Sequence, residues 1–260
     1  MEDASLRTDI LVIGGGIAGA SAALAAAESG RDVVVLAKDT AGSANTYWAQ
    51  GGIATLGPDD DPALFREDII KAGDGLNDPE AAAVLVEEGP RYVAEILVAR
   101  LGVPFSRGAG GDLAYAREAG HSRRRILHVK DTTGMSIAEA FVAALKARPN
   151  IRLLENRTAV DLLTVPHHSR DPIAYYREPR CLGAYVLDNG TGKVASVFAR
   201  QTVLATGGCG AVFLNSSNAR DSIGAGYAMA HRAGARIVNM EYIQFHPTVL
   251  FHREAEGFLI

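Results

Sequence analysis

Residues 14–19, Gly14-Gly15-Gly16-Ile17-Ala18-Gly19, have the G-x-G-x-x-G spacing of a turn that can seat a pyrophosphate. An apolar run at 9–13 precedes them, and an alanine-rich run of helix formers at 17–29 follows, stopped by Gly30. In a strand–turn–helix setting each glycine has a separate task. Gly14 makes the turn, Gly16 lets the backbone approach a phosphate, and Gly19 lets the helix pack close to the sheet. The helix N-terminus, with its unpaired amides, is where the phosphates would rest. A second apolar run, Val33-Val34-Val35-Leu36, is continuous in the way a strand buried on both faces must be, so residues 9–37 read as one βαβ unit. An ordinary dinucleotide site ends this second strand on an acidic residue that holds the ribose. Here the end reads Ala37-Lys38-Asp39, and Lys38 argues against a generic nicotinamide site unless Asp39 takes that role.

Composition sets the frame around this site. A chain of 260 residues with 48% hydrophobic content can bury the core of one large domain, or of one domain plus the start of another. A net charge of -4 and a pI near 6.0 leave no basic surface for nucleic-acid phosphates. Cys181 and Cys209 suit neither a disulfide framework nor a zinc site, so a reducing cytoplasm and no metal are expected. The apolar stretch 10–27 is broken by Gly14, Gly15, Gly16 and Gly19 and lacks a basic leader, which fits neither a signal peptide nor a membrane span.

The elements that must carry the site follow from pattern. Residues 61–99 are helical, with Pro62 and Pro79 each directly after an aspartate that can cap, and these helices are expected to cover the sheet. A helix at 136–145 leads to strands at 151–154 and 159–163, and 166–180 reads as an exposed loop. Runs at 181–187 and 194–199 flank Asn189-Gly190 as a hairpin. A separate, buried last strand is expected at 201–205, followed by a helix at 226–233 and irregular chain from 240. The fold class is α/β, a Rossmann-like domain around a parallel sheet. The apolar final residues 257–260 carry no stop signal, so the chain is expected to continue beyond them.

The stretch Ser43-Ala44-Asn45-Thr46-Tyr47-Trp48-Ala49-Gln50-Gly51-Gly52-Ile53, following Lys38, resembles the flavoprotein family of succinate dehydrogenase, fumarate reductase and L-aspartate oxidase. In that family the segment lies along FAD. The resemblance therefore implies that Lys38, Asn45, Thr46, Tyr47, Trp48, Ala49, Gln50, Gly51 and Gly52 join Gly14, Gly15, Gly16, Ile17, Ala18 and Gly19 as cofactor residues. Dehydrogenase and reductase members bond the flavin covalently through a histidine. Asn45 falls at that position, which implies a noncovalent FAD and points to the aspartate oxidase branch. Ala205-Thr206-Gly207-Gly208 resembles the family's second FAD-contacting strand end, through Thr206 and Gly207, and Val160 falls where the adenine region meets backbone. Gly224-Ala225-Gly226 departs from the family's Gly-Asp-Gly, a loss of about 1.5 to 3 kcal/mol of charge-assisted hydrogen bonding.

Arg117-Glu118-Ala119-Gly120-His121-Ser122-Arg123-Arg124-Arg125-Ile126-Leu127-His128 resembles the signature of the aspartate oxidase branch. It implies catalytic roles for Glu118, beside a bound amino acid, and His121, close to the flavin. Oxidising an amine to an imine needs a hydride acceptor and a group that handles the amine's proton, which Glu118 can do. Arg123, Arg124 and Arg125 are read as solvated, with at most one facing a substrate. Gln244-Phe245-His246-Pro247-Thr248 resembles the family segment whose histidine and threonine bind a substrate carboxylate, here His246 and Thr248.

The implied activity is oxidation of L-aspartate to iminoaspartate for quinolinate and NAD biosynthesis, with oxygen or fumarate as electron acceptor and quinolinate synthase as partner. The implied domains are an FAD-binding domain at 1–242 and, from 243 to 260, the start of an α+β capping domain. The family's carboxylate-clamping arginine comes after that point, so the chain alone is expected to turn over poorly. A fumarate reductase or succinate dehydrogenase relative, and a non-catalytic FAD-binding or protein-interaction remnant, remain the alternatives.

Overall fold

The computed structural model describes residues 5–165, 168–246 and 248–250. In chain order the elements are β1 (Leu6–Ile13), α1 (Ile17–Glu28), β2 (Val33–Leu36), α2 (Asn45–Trp48), β3 (Ile53–Ala54), α3 (Pro62–Ala72) and α4 (Pro79–Tyr92). They continue with β4 (Tyr115–Ala116), β5 (Ile126–Leu127), α5 (Thr133–Lys146), β6 (Ile151–Leu154), β7 (Arg157–Val165), β8 (Arg180–Asp188), β9 (Val194–Leu204) and α6 (Ala225–Arg232). The chain forms two compact units, residues 1–46 with 141–260, and residues 47–140.

The first unit is built on a six-stranded sheet in the order β6-β2-β1-β9-β8-β7. β1 pairs in parallel with β2 and β9, and β2 pairs in parallel with β6. β7, β8 and β9 form an antiparallel meander. The four β2 residues are all buried, as the unbroken Val33-Val34-Val35-Leu36 run requires of a strand covered on both faces. Ala20, Ala23, Leu24 and Ala27 make the buried stripe of α1, spaced at three and four residues so that one helical face meets the sheet. Small side chains there let the helix axis come close.

The sheet's core joins Leu11 and Ile13 of β1, Val34 and Leu36 of β2, Ala184 and Val186 of β8, and Met229 of α6. The two-residue spacing on each strand is that of one sheet face.

Two expectations are corrected here. The hairpin strand near 194 and the last strand near 201 are one continuous strand, β9. Its first half pairs antiparallel with β8, and from Val197 onward it runs parallel to β1, so the backbone changes partner without a break. Its end is not fully buried either: Leu204 is 38% exposed because it borders a cavity. The expected loop at 166–180 contains a short 3-10 turn at Pro172–Tyr176, capped by Asp171. Residues 166 and 167 of that loop, Pro247, and residues 251–260 at the expected start of a second domain lie outside the described residues.

The second unit contains α3 and α4, so these helices fold with residues 47–140 and not as part of the sheet-bearing unit. Their starts are those read from sequence. Asp61 accepts from the Ala63 amide at 2.8 Å, and Asp78 accepts from Glu80 and Ala81. Pro90, which cannot donate within the helix, precedes a change to wider π-type turns over Val93–Arg100. β3, β5 and β4 make a small antiparallel sheet of two-residue strands, too short to leave a periodic signal in sequence.

Arg125 overturns the solvated reading of the arginine run: it is 0% exposed, whereas Arg123 and Arg124 are exposed. Its backbone, directly before β5, continues the pairing of this small sheet, accepting from the Thr55 amide and donating to the Ala116 carbonyl, which turns its side chain inward. The guanidinium makes a two-pronged contact with Asp60 at 2.7 and 2.8 Å and a third bond to Asp68 at 2.7 Å. It also lies 4.5 Å from the centre of the Phe65 ring. Burial opposes ionisation of Asp68, but bonds from the Ser122 amide and hydroxyl and from Arg125 outweigh it and hold the carboxyl below its ordinary value.

Replacing Arg125 with methionine leaves two carboxylates facing each other in a site without a cation. The expected loss is about 3 to 5 kcal/mol of unfolding free energy, measured by urea titration. Asp68 also carries a pH signature. Its carboxyl is depressed in the folded state, so its contribution is fully present above roughly pH 4 and is lost as pH falls through the lower folded value. Thermal melts between neutral and acid pH should show that loss, and Asp68→Asn should flatten it.

Candidate functional site

At the carboxyl ends of β1, β2 and β9 the first unit opens a cavity of 580 Å³, within the usual range of about 300 to 1,000 Å³ for organic ligands. The turn at its floor is hung between two strands: Gly14 donates its amide to Leu36, and Ala205 donates to Ile13. Gly14 has φ +112, and a Cβ there would strike the Ala205 carbonyl. A Cβ on Gly19 would strike the Gly14 carbonyl oxygen, so the helix touches the turn directly. Gly16 differs, because an added Cβ would meet only Thr46 Oγ1 at 3.4 Å and Ala44 at 3.5 Å. What keeps that position small is the space in front of it.

Ten of the residues singled out from sequence line this cavity: Gly14, Gly15, Gly16, Ile17, Ala18, Lys38, Asn45, Thr46, Thr206 and Gly207. Gly19 lies behind the lining and acts through packing. Val160 does not line it, while Arg157, Thr158 and Ala159 do, and the Val160 carbonyl accepts instead from Arg232.

The start of α1 has no side-chain cap from its own N-cap residue, and Ile17 donates its amide to Thr46 Oγ1 at 3.1 Å. The positive end of that helix, with Lys38 on the wall, suits a pyrophosphate. Ile13, Leu36, Leu204 and Met229 supply apolar wall for a flat ring. The lining therefore fits an adenine dinucleotide such as FAD.

Asp39, weighed above as the acidic neighbour of Lys38, and Ser43, in the stretch that resembles the family's FAD segment, also border the cavity. Sequence reading missed Asp221, Ser222, Ile223 and Tyr227, which border it too. The 221–223 segment had none, because an irregular loop placed by long-range contacts has no period. α6 also brings its N-terminus to this cavity, where Gly226 abuts Thr206 so closely that a Cβ would collide with it. Ala225, the first residue of that helix, is part of the wall. Burial resists the Asp161 charge, yet the Arg232 bond at 2.8 Å and the Leu162 amide hold its carboxyl below the ordinary value and tie α6 to β7.

Tyr47, Trp48, Ala49, Gln50, Gly51 and Gly52 fall in the second unit, with Glu118 and His121. There the two motifs come together. A Cβ on Gly51 would lie 2.8 Å from Glu118 Oε1, so the carboxylate rests against bare backbone. Thr133 Oγ1 donates to the Gly51 carbonyl at 2.7 Å, and Gly134 donates its amide to Ala49. Glu118 is exposed. His121 has a buried Nδ1 without a hydrogen-bond partner and lies 6.1 Å from the Phe65 ring. Arg117 Nε holds the His121 carbonyl at 3.0 Å, and Asp68 holds both the amide and the hydroxyl of Ser122 at 2.8 Å. The turn from Glu118 to Ser122 is thus fastened on both sides of the histidine.

His246 and Thr248 are exposed in the first unit, with His246 Nδ1 2.9 Å from the Thr248 carbonyl. Among the described residues there is no group of three His, Cys, Asp or Glu that could hold a metal ion. Among them also, no helix is long and apolar enough to cross a membrane. Cys181 and Cys209 are free and half-buried.

Comparison with known proteins matches residues 9–260 to a family described as FAD binding domain. The L-aspartate oxidase 1 of Ralstonia nicotianae is 45% identical over 98% of this chain, which spans 47% of that protein. The L-aspartate oxidase of Halobacterium salinarum is 46% identical over 100% of this chain and 48% of its own length. The chain thus spans about half the length of the curated relatives it matches. Among solved structures, the Mycobacterium smegmatis Sdh1 complex in the apo form superposes with a TM-score of 0.86 at 30% identity, covering 98% of this chain and 44% of that one. The open conformation of a flavocytochrome c3 fumarate reductase gives 0.82 at 27% identity, covering 98% and 45%.

Gly19→Ala tests the helix-to-turn contact. The added methyl must displace the Gly14 carbonyl, and FAD affinity, read by quenching of flavin fluorescence, should fall roughly tenfold or more. Gly15→Ala is the control, since its Cβ would meet only Ala37 at 3.7 Å, and it should cost less.

Proposed function

The chain belongs to the FAD binding domain family, and from that premise we propose that it is the flavin-binding portion of an L-aspartate oxidase. The observation that carries this reading is the Glu118 carboxylate resting against Gly51, with His121 three residues on, in a chain 45% identical to a curated L-aspartate oxidase. FAD would occupy the cavity above the Gly14–Gly19 turn, its pyrophosphate at the start of α1.

Bound flavin supplies an acceptor for the hydride leaving the substrate's α-carbon. The rest of the chemistry falls to side chains. Glu118, an exposed carboxylate held against backbone, attracts the ammonium group of an amino acid and can take its proton. His121, with its unpaired buried nitrogen and fastened backbone, can hold a proton at Nδ1. His246 and Thr248 offer a ring N–H and a hydroxyl to a carboxylate. L-aspartate is the substrate that this reading assigns, with fumarate or oxygen as electron acceptor. The product, iminoaspartate, is material for quinolinate and NAD synthesis, with quinolinate synthase as the partner that consumes it in the cytoplasm.

Asn45 supports noncovalent flavin, because a carboxamide is no nucleophile and its polar atoms are engaged by protein. Residues from 243 onward would begin a second, capping domain that completes the substrate site. A second reading, a chain that holds flavin without turnover, is favoured by Ala225, which places a methyl group on the cavity wall where the resembling family has a carboxylate.

The test is to load the purified chain with FAD, remove the excess by gel filtration, and record the visible spectrum before and after anaerobic L-aspartate or succinate. Bleaching by aspartate alone establishes the oxidase. Retained flavin that stays oxidised favours the second reading, and no retained flavin overturns both. Ala225→Asp should tighten FAD by about tenfold, the worth of one charge-assisted hydrogen bond, as read by the same titration.

A further inference from the structure

Asn45 and Thr46 are neighbours in α2, and their side chains fasten to different parts of the cavity wall. Thr46 Oγ1 accepts from the Ile17 amide at the start of α1. Asn45 reaches a segment more than 170 residues away: its Nδ2 donates to Asn218 Oδ1 and to Ser222 Oγ, both at 2.8 Å. Its Oδ1 accepts from the Ala219 amide at 2.6 Å. Both carboxamide hydrogens and the oxygen are used within the protein, so the side chain keeps no donor to offer a ligand.

The partners are informative. Ser222 is 7% exposed and borders the cavity, and Ala219 is 8% exposed. Asn218 is exposed and does not border the cavity at all. The Ala211 amide also donates to the Ser222 carbonyl. Through one side chain Asn45 thus bonds three residues of this loop, Asn218, Ala219 and Ser222.

We propose that Asn45 is a positioning residue that latches residues 218–222 onto the 43–46 segment, and that this latch sets how fast a noncovalent dinucleotide leaves the cavity. The role rests on the reading that the cavity holds FAD. Opening of the latch detaches Ser222 and its neighbours from the rim, and the cofactor escapes through the gap. Closing it costs the protein little, because donors and acceptor are already aligned.

Asn218 makes the test selective. A direct cofactor contact by Asn45 would leave Asn218→Ala without effect, whereas a latch is weakened from either end. Dissociation of FAD from the loaded chain is followed by recovery of flavin fluorescence after dilution. Asn45→Ala and Asn218→Ala should each release FAD faster, by roughly tenfold or more for Asn45→Ala and less for Asn218→Ala. The double variant should be no faster than Asn45→Ala, since the bond that Asn218 contributes to the latch is the one to Asn45. In the flavin-free chain, hydrogen exchange at the Ala219 amide should rise in Asn45→Ala.

Wild-type release rates in Asn218→Ala, or additive rates in the double variant, overturn the latch while leaving the flavin reading intact. A wild-type chain that retains no FAD overturns that reading, and this role with it. If Asn45→Ala does not fold, Asn218→Ala, a change at an exposed side chain, decides the question alone.

Discussion

The contact between Gly19 and the Gly14 carbonyl is the constraint on which the first unit depends. A helix can begin directly above a strand end only if nothing separates the two backbones, and here a methyl group on Gly19 would collide with the Gly14 carbonyl, as one on Gly14 would with the Ala205 carbonyl. Because α1 starts there, its positive end faces the mouth left by β1, β2 and β9 and not the solvent. The alanine stripe at positions 20, 23 and 27 continues the same close approach along the sheet. The cavity is the space that remains when a helix is brought that near and its first turn is left without a cap of its own.

Around this floor the walls come from distant parts of the chain. β9 arrives in antiparallel company and leaves in parallel company, which delivers Leu204, Ala205 and Thr206 beside the glycine turn. The meander begins just past β6, where Arg157 donates its amide to Ala37 and pairs with Asp188 at 2.7 Å. Burial works against the Asp188 charge, but the Thr191 and Gly190 amides and Arg157 keep its carboxyl below the ordinary range, so the turn between β8 and β9 is held by the same residue that starts the meander. α6 closes the remaining side, abutting Thr206 at Gly226 and anchored at its far end through Arg232 and Asp161.

The second unit solves a different problem, holding a polar loop in place beside its hydrophobic core. Its means is a buried cation. Arg125 binds two carboxylates and an aromatic face, and one of those carboxylates, Asp68, reaches on to Ser122. A charge so enclosed is tolerable only when its partners satisfy it, which makes the arrangement rigid. The turn that carries Glu118 and His121 is held in place by this arrangement through Ser122.

How much of this was legible in the sequence follows from the range of each signal. The glycine spacing, the alanine helix, the valine strand and the aspartate–proline caps are local, since each depends on residues a few positions apart, and the structure has them where the sequence implied. The Gln50–Gly52 and Glu118–His121 motifs were visible as resemblance, and their meeting within one unit was not. The buried state of Arg125 was invisible beside Arg123 and Arg124, because only the tertiary fold brings Asp60, Asp68 and Phe65 around the third arginine. The single strand β9 was hidden because a change of pairing partner leaves no mark in a period of two. The bonds from Asn45 to Asn218, Ala219 and Ser222, likewise, join residues more than 170 positions apart. The sequence by itself determined the local conformations and the chemistry available. The tertiary structure alone decided which charges lose their water and which distant loops share a wall, because both depend on contacts that no short stretch of chain contains.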